Sequence, residues 1–208
     1  MEVPIDLIEQ EIDLILEDLP VNYCKTGMLY SEDIIKLVSK KVKEYNLNLV
    51  VDPILIASSG CNLYKSTLVS AMKNNLLKNS LLVTPNIYEA EVLSGLNITT
   101  KNDALVAAEK IGKICNVVIT GGHLDGDNFL YNGEIIVMEG ELIETDNTHG
   151  SGCSFSAAIT SYLCLGNNLI DSIKNADNFI KKSIRYGAYG TLDQFWNINN
   201  KINKIDLK

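Results

Sequence analysis

Three short apolar runs, residues 47–51, 81–84 and 117–120, interrupted only by Asn48, are separated by segments of helical periodicity, and this alternation most restricts what the chain can become. A strand that is apolar at every position is buried on both faces. That is the condition of a parallel sheet whose crossovers are helices, connected with the right-handed sense. The helices are legible from spacing and caps. Ile5, Ile8, Ile12, Ile15 and Leu19 form one stripe, giving a helix over 4–18 that Pro20 ends, and a short strand is expected over 21–24. Ser31 is placed to cap a helix through Ile34, Ile35, Val38 and Val42, and residues 65–77 read as helical. Residues 86–95 form a short helix after Pro85, and Asn102 is the expected cap of a helix through Leu105, Ala108, Ile111 and Ile114. The parallel pattern breaks at Asn132-Gly133, a hairpin signal inside the apolar stretch 129–137, so an antiparallel edge is expected there. Two long helices over 153–165 and 169–186 follow, then a polar tail from Asn197 that is expected to be mobile.

A chain of 208 residues with 46% hydrophobic and 21% charged residues suits a single domain with a sizeable core. The net charge of −8 argues against nucleic acid or an anionic membrane as partner, because phosphate backbones reward clustered Lys and Arg. An anionic nucleotide must then be held by local donors and a metal. The five cysteines are odd in number and scattered without paired metal spacing, which fits reduced thiols in the cytoplasm and no zinc site. No run approaches the roughly 18 apolar residues of a membrane span, and the acidic N-terminus lacks a signal-type apolar core.

The chemistry concentrates in Asn147-Thr-His-Gly-Ser-Gly-Cys-Ser, where a polar turn runs through Gly150, Ser151 and Gly152 into a helix. Glycines let the backbone pass close to a ligand, and the first amides of a helix have no partner within it. With the helix dipole they form an anion hole suited to phosphate. The same field favours a thiolate at Cys153, which makes that residue a candidate base near neutral pH. The bland alternative is a tight loop with a small buried cysteine. In open sheets of this kind ligands sit beyond the carboxyl ends of the strands. Those ends carry Gly27 and Met28, then Asp52, then Asn86 with Glu89, then Gly121, Gly122 and His123. Two carboxylates, an amide and a phosphate nest make sense together as a magnesium-nucleotide site, although Asp52 read alone is a turn residue and Asn86 a helix cap.

Lys25-Thr-Gly-Met-Leu, Val51-Asp-Pro, Thr84-Pro-Asn-Ile-Tyr-Glu-Ala, Gly121-Gly-His and the 147–154 loop occur in the order of the motifs of the hydroxymethylpyrimidine and phosphomethylpyrimidine kinases of thiamine synthesis. The chain resembles that branch of the ribokinase superfamily from about residue 5 to residue 190. The resemblance implies a three-layer α/β sandwich and phosphoryl transfer from ATP, with Mg2+, to a pyrimidine alcohol. Cys153 would take the proton of the hydroxymethyl group, while the amides of Gly150, Ser151 and Gly152 hold charge on the transferring phosphoryl group. Asp52 and Glu89 would bind magnesium directly or through water. Gly27, Met28 and Ile54 would line the pyrimidine pocket, and Asn86, Thr120, Gly122, Thr148 and His149 would contact nucleotide. A homodimer is also expected.

The chain departs from the family pattern in three respects. The family opens with a strand, a glycine- and serine-rich segment with an aspartate, and covering strands, to which nothing here corresponds. The sheet is therefore expected to lack N-terminal strands, and the substrate site one wall. Thr120 and Ser151 stand where lysine and threonine are usual. The alternatives are a pyridoxal- or pyridoxine-type kinase and a non-catalytic nucleotide-binding remnant.

Overall fold

A computed structural model describes residues 3–55 and 66–198. The chain divides into two compact units, Met1–Glu141 and Leu142–Lys208. In the first, the described elements run α1 (Ile5–Asp18), β1 (Tyr23–Thr26), α2 (Glu32–Glu44), β2 (Asn48–Val51), α3 (Ser66–Ala71), β3 (Leu82–Val83), α4 (Ile87–Ser94), α5 (Lys101–Gly112), β4 (Asn116–Thr120), β5 (Asn128–Tyr131) and β6 (Ile135–Met138). The strands form one sheet in sequence order, parallel from β1 to β4 and antiparallel from β4 to β6. This is the expected α/β architecture with an antiparallel edge.

The core lies where the apolar runs place it. Leu49, Val51, Val83, Val117, Ile119 and Phe129 share a cluster with Ile35 and Val42 of α2, Ile87, Ala90 and Leu93 of α4, and Ala104, Ala107, Ala108 and Ile111 of α5. Val50, Leu82, Val118 and Leu130 alternate to the other face and are buried as well. Both faces of these strands are thus dry, which is why they read as continuous apolar runs.

Local signals held where the local chemistry is complete. The Ser31 hydroxyl accepts from Ile34 N at 3.4 Å and starts α2. Asn132 and Gly133 turn the chain between Tyr131 and Ile135, with φ of +103° at Gly133. Elsewhere the structure corrects the sequence reading. The cap of α5 is Thr100 and not Asn102, because Thr100 and Asp103 bond each other's backbone N–H in a capping box. The first strand lies two residues later than 21–24, since its place is set by pairing of Tyr23 with Asn48 and Thr26 with Val51. The helix expected over 65–77 is α3 followed by a π turn, Met72–Leu76, and a 3-10 turn, Leu77–Asn79; Lys65 and the 58–60 loop lie outside the described residues. The side-chain amides of Asn75 and Asn79 donate to Ala71 O and Asn75 O, and such side-chain bonds compete with the regular helix. The α1 stripe forms a helix, yet none of its residues is buried, and it meets α2 through Glu9–Lys40 at 2.9 Å and Asp13–Lys41 at 2.6 Å.

The second unit holds α6 (Ser151–Cys164) and α7 (Leu169–Arg185), which pack along each other. The chain after α7 folds back. Trp196 stacks on Tyr186 with centroids 5.9 Å apart, under the ammonium group of Lys182. The expected tail from Asn197 lies mostly outside the described residues.

Candidate functional site

In the first unit the parallel strands deliver their carboxyl ends to one edge. Backbone bonds continue past the strands: Asp52 N donates to Thr26 O, Thr84 N to Val51 O, and Thr120 N to Pro85 O. Asn86 bridges Thr120 in the same way. The edge therefore carries Gly27, Asp52, Asn86 and Thr120 on a rigid frame.

Asp52 and Glu89 are both buried there. Glu89 Oε1 accepts from Leu55 N at 3.1 Å and Oε2 from Asn86 N at 3.0 Å, while Asn86 Oδ1 accepts from Glu89 N at 2.9 Å. Asn86 and Glu89 are thus the capping box of α4, a structural duty the sequence reading had weighed only for Asn86. Burial pushes the Glu89 carboxyl up to about 7 against the pull of its two backbone donors, and the negative charge of Asp52 pushes the same way. Two buried carboxylates close enough to repel are a donor set that suits a hard divalent cation. Lys25, which opens the first of the motifs but carries no role in the sequence reading, lies in β1 with Nζ 3.6 Å from Asp52 Oδ2.

The expected substrate-pocket residues meet only in part. A Cβ on Gly27 would lie 3.3 Å from Ile54 Cδ1 and 3.8 Å from Lys25 Nζ, so Gly27 allows both side chains to approach. Met28, the next residue, is half exposed. Ile54 has φ of +32°, an unusual conformation for a β-branched residue and a mark of local strain beside Asp52.

In the second unit, residues 146–150 form the glycine loop that runs into α6. Thr148 N donates to Asp146 O, Ser151 N to Thr148 O, and Ser154 N to Gly150 O, so the Ser151 amide is engaged within the loop. Gly150 has φ of +84° and caps α6 in the left-handed region, which favours glycine. A Cβ on Gly150 or Gly152 would meet nothing within 4 Å, so the space over the start of α6 is open. Cys153 is exposed and borders a cavity of about 580 Å³ lined also by Ser154, Ala157, Tyr162 and Gln194. Thr148 and His149 lie on the approach to this turn, with His149 N donating to Gly190 O.

Asn147 holds the loop. Its side-chain amide donates to Gly187 O at 2.8 Å and its Oδ1 accepts from Gly190 N at 2.9 Å, 40 and 43 residues away. Nothing local in the sequence signals such bonds. Asn147→Ala should leave both backbone groups short of a partner and cost about 1–3 kcal/mol. Urea unfolding midpoints of the two proteins measure it; equal midpoints would show that the clamp is dispensable.

The parallel sheet and helical crossovers are those of the ribokinase-like kinases. A pyridoxal kinase of Bacillus subtilis solved with ADP superposes with a TM-score of 0.82 at 36% identity, over 88% of this chain and 72% of that one. A phosphomethylpyrimidine kinase of Clostridium difficile superposes at 0.76 and 31% identity, over 88% and 78%. In sequence, a hydroxymethylpyrimidine/phosphomethylpyrimidine kinase of Bacillus subtilis is 36% identical over 188 residues, 86% of this chain and 69% of that protein. A pyridoxine kinase of the same organism is 37% identical over 189 residues, 86% and 70%. The phosphomethylpyrimidine kinase profile matches residues 1–195. The chain belongs to the phosphomethylpyrimidine kinase family and is a phosphotransferase.

Proposed function

We propose that this chain transfers the γ-phosphoryl group of ATP to the hydroxymethyl group of 4-amino-5-hydroxymethyl-2-methylpyrimidine, and then to its monophosphate, in thiamine synthesis. The observation that supports this reading is the Gly150 turn, whose left-handed φ and open space leave room for a phosphate at the start of α6, with Cys153 in the first turn of that helix.

Cys153 takes the proton of the attacking hydroxyl as the oxygen bonds to phosphorus and ADP leaves. The amides of Gly150, Ser151 and Gly152 face the phosphoryl group, and for Ser151 this requires its bond to Thr148 O to be shared or exchanged. Asn86, Thr120, Gly122, Thr148 and His149 contact the nucleotide, and Gly27, Met28 and Ile54 bound the pyrimidine. Asp52 and Glu89 would hold Mg2+, directly or through water, and the ion would neutralise charge on the phosphates. Nucleotide use is supported by relatives solved with ADP and with AMP-PCP. A cytoplasmic homodimer belongs to the same reading; the exposed Ile5, Leu7, Leu14 and Ile15 of α1 support the association alone, and sedimentation velocity reads its mass.

A second reading, phosphorylation of pyridoxal or pyridoxine, is favoured by an identity of 37% to a pyridoxine kinase beside 36% to the pyrimidine kinase. ADP release measured with each alcohol separates the two. Higher kcat/KM on the pyrimidine is expected; a preference for pyridoxal transfers the function to the second reading, and no turnover on either alcohol overturns both.

A further inference from the structure

A buried carboxylate outside the reaction machinery holds the turn after β4. The chain leaves Thr120 through Gly121 and Gly122 and closes a double turn, with Leu124 N donating to Gly121 O at 2.7 Å, Gly126 N to Gly122 O at 2.9 Å and Asp127 N to Leu124 O at 3.2 Å. Gly122, Asp125 and Gly126 have φ of +42°, +59° and +75°, and Asp125 adopts this region at a cost that glycine avoids. Asp127 ends the turn and is buried. Its Oδ1 accepts from Gly140 N at 2.7 Å, and its Oδ2 lies 2.7 Å from Lys101 Nζ, which is also 2.8 Å from Asp125 Oδ2. One carboxylate thus fastens the turn both to the chain beyond the hairpin and to the first residue of α5. The packing is close on both sides. A Cβ on Gly121 would fall 1.8 Å from Asp127 O, and one on Gly140 would fall 1.7 Å from Gly126 O. Burying a carboxylate is costly unless charge-assisted bonds compensate it, and Lys101 and Gly140 supply them.

We propose that Asp127, fixed by Lys101, is a positioning residue that sets nucleotide affinity by locking the turn that carries Thr120 and Gly122. This rests on the reading that Thr120 and Gly122 contact nucleotide. The Lys101–Asp127 bond ties the turn to α5, so a chain without it must pay the ordering entropy of the turn when nucleotide binds. The effect falls on binding and not on the chemical step, because neither residue reaches the transferring phosphoryl group in that reading.

The test uses Asp127→Asn and Lys101→Met in the full chain, with ATP and Mg2+ titrated by calorimetry and by steady-state kinetics. Asp127→Asn keeps an acceptor for Gly140 N and loses the ion pair; Lys101→Met keeps most of the stem. Kd and KM for ATP are expected to rise about tenfold with kcat within about twofold, and the double variant should be no worse than Lys101→Met alone, because Lys101→Met already removes the Lys101–Asp127 pair together with the Lys101–Asp125 pair. Lys36→Met, which breaks an exposed pair with Asp33 at 3.3 Å, is the control and should leave Kd unchanged. Circular dichroism reports folding, and if Asp127→Asn does not fold, Lys101→Met decides. Unchanged ATP affinity in a folded Lys101→Met, or a fall in kcat alone, overturns the positioning role while wild-type binding keeps the nucleotide reading intact. A wild-type chain that does not bind ATP overturns both.

Discussion

Cys153→Ala is expected to lower kcat by about 10²- to 10⁴-fold while ATP affinity stays within about twofold, the signature of a lost general base. Cys153 is the third residue of α6, exposed, and at the edge of the cavity beside the Gly150 turn. Its thiol is small and on the surface, so truncation should cost little stability, within about 0.5 kcal/mol. Loss of rate without loss of fold is therefore the expected pattern. Cys153→Ser preserves shape and hydrogen bonding but replaces the thiol with a far weaker acid, and it should also be slow. An alanine variant with wild-type kcat would remove Cys153 from the mechanism.

The second large effect belongs to the carboxylate pair. Burial, reinforced by Asp52, raises the Glu89 carboxyl from its ordinary 4.5 to about 7 in the folded chain. For an acid whose folded value lies above its unfolded one, the protonated form is the one the fold prefers. Its stabilising contribution is complete below about pH 4.5, falls as pH rises to about 7, and changes no further above that. The interval corresponds to about 3 kcal/mol as an upper figure. Apo stability should therefore decline across this window, and Glu89→Gln should flatten the decline while losing part of the α4 capping box, at a cost of about 1 kcal/mol at low pH. Asp52→Asn removes one source of repulsion, so apo stability at pH 8 should hold or rise, while Mg2+-dependent turnover falls at least tenfold. Mg2+ should raise the wild-type melting temperature more at pH 8 than at pH 6, because proton and metal compete for the same carboxylates. Thermal melts across pH, with and without Mg2+, read all of this. A large apo destabilisation in Asp52→Asn would make that residue structural instead.

The sequence by itself determined whatever depends on neighbours a few residues apart. Short apolar runs announced strands buried on both faces, Ser31 announced its helix, and Asn132-Gly133 announced the hairpin, because caps and tight turns are closed by bonds within three or four residues. The Gly150 turn at the head of α6 was legible for the same reason. Thr100 was legible too, since Thr100 and Asp103 carry the capping-box spacing, whereas Asn102, a good cap residue by type, has Leu105 and no such partner three residues on.

The tertiary structure alone decided whatever is closed by a distant partner. The place of β1 follows from pairing with β2, some 25 residues on. Lys25 meets Asp52, Asn147 meets Gly187 and Gly190, and Asp127 meets Lys101 and Gly140, across separations at which composition and periodicity carry no information. The same holds for charge. The acidity of Glu89 depends on how dry its surroundings become once Asp52 and the amides of Leu55 and Asn86 are folded around it, and a carboxylate's desolvation is a property of the packed site, not of its neighbours in the chain.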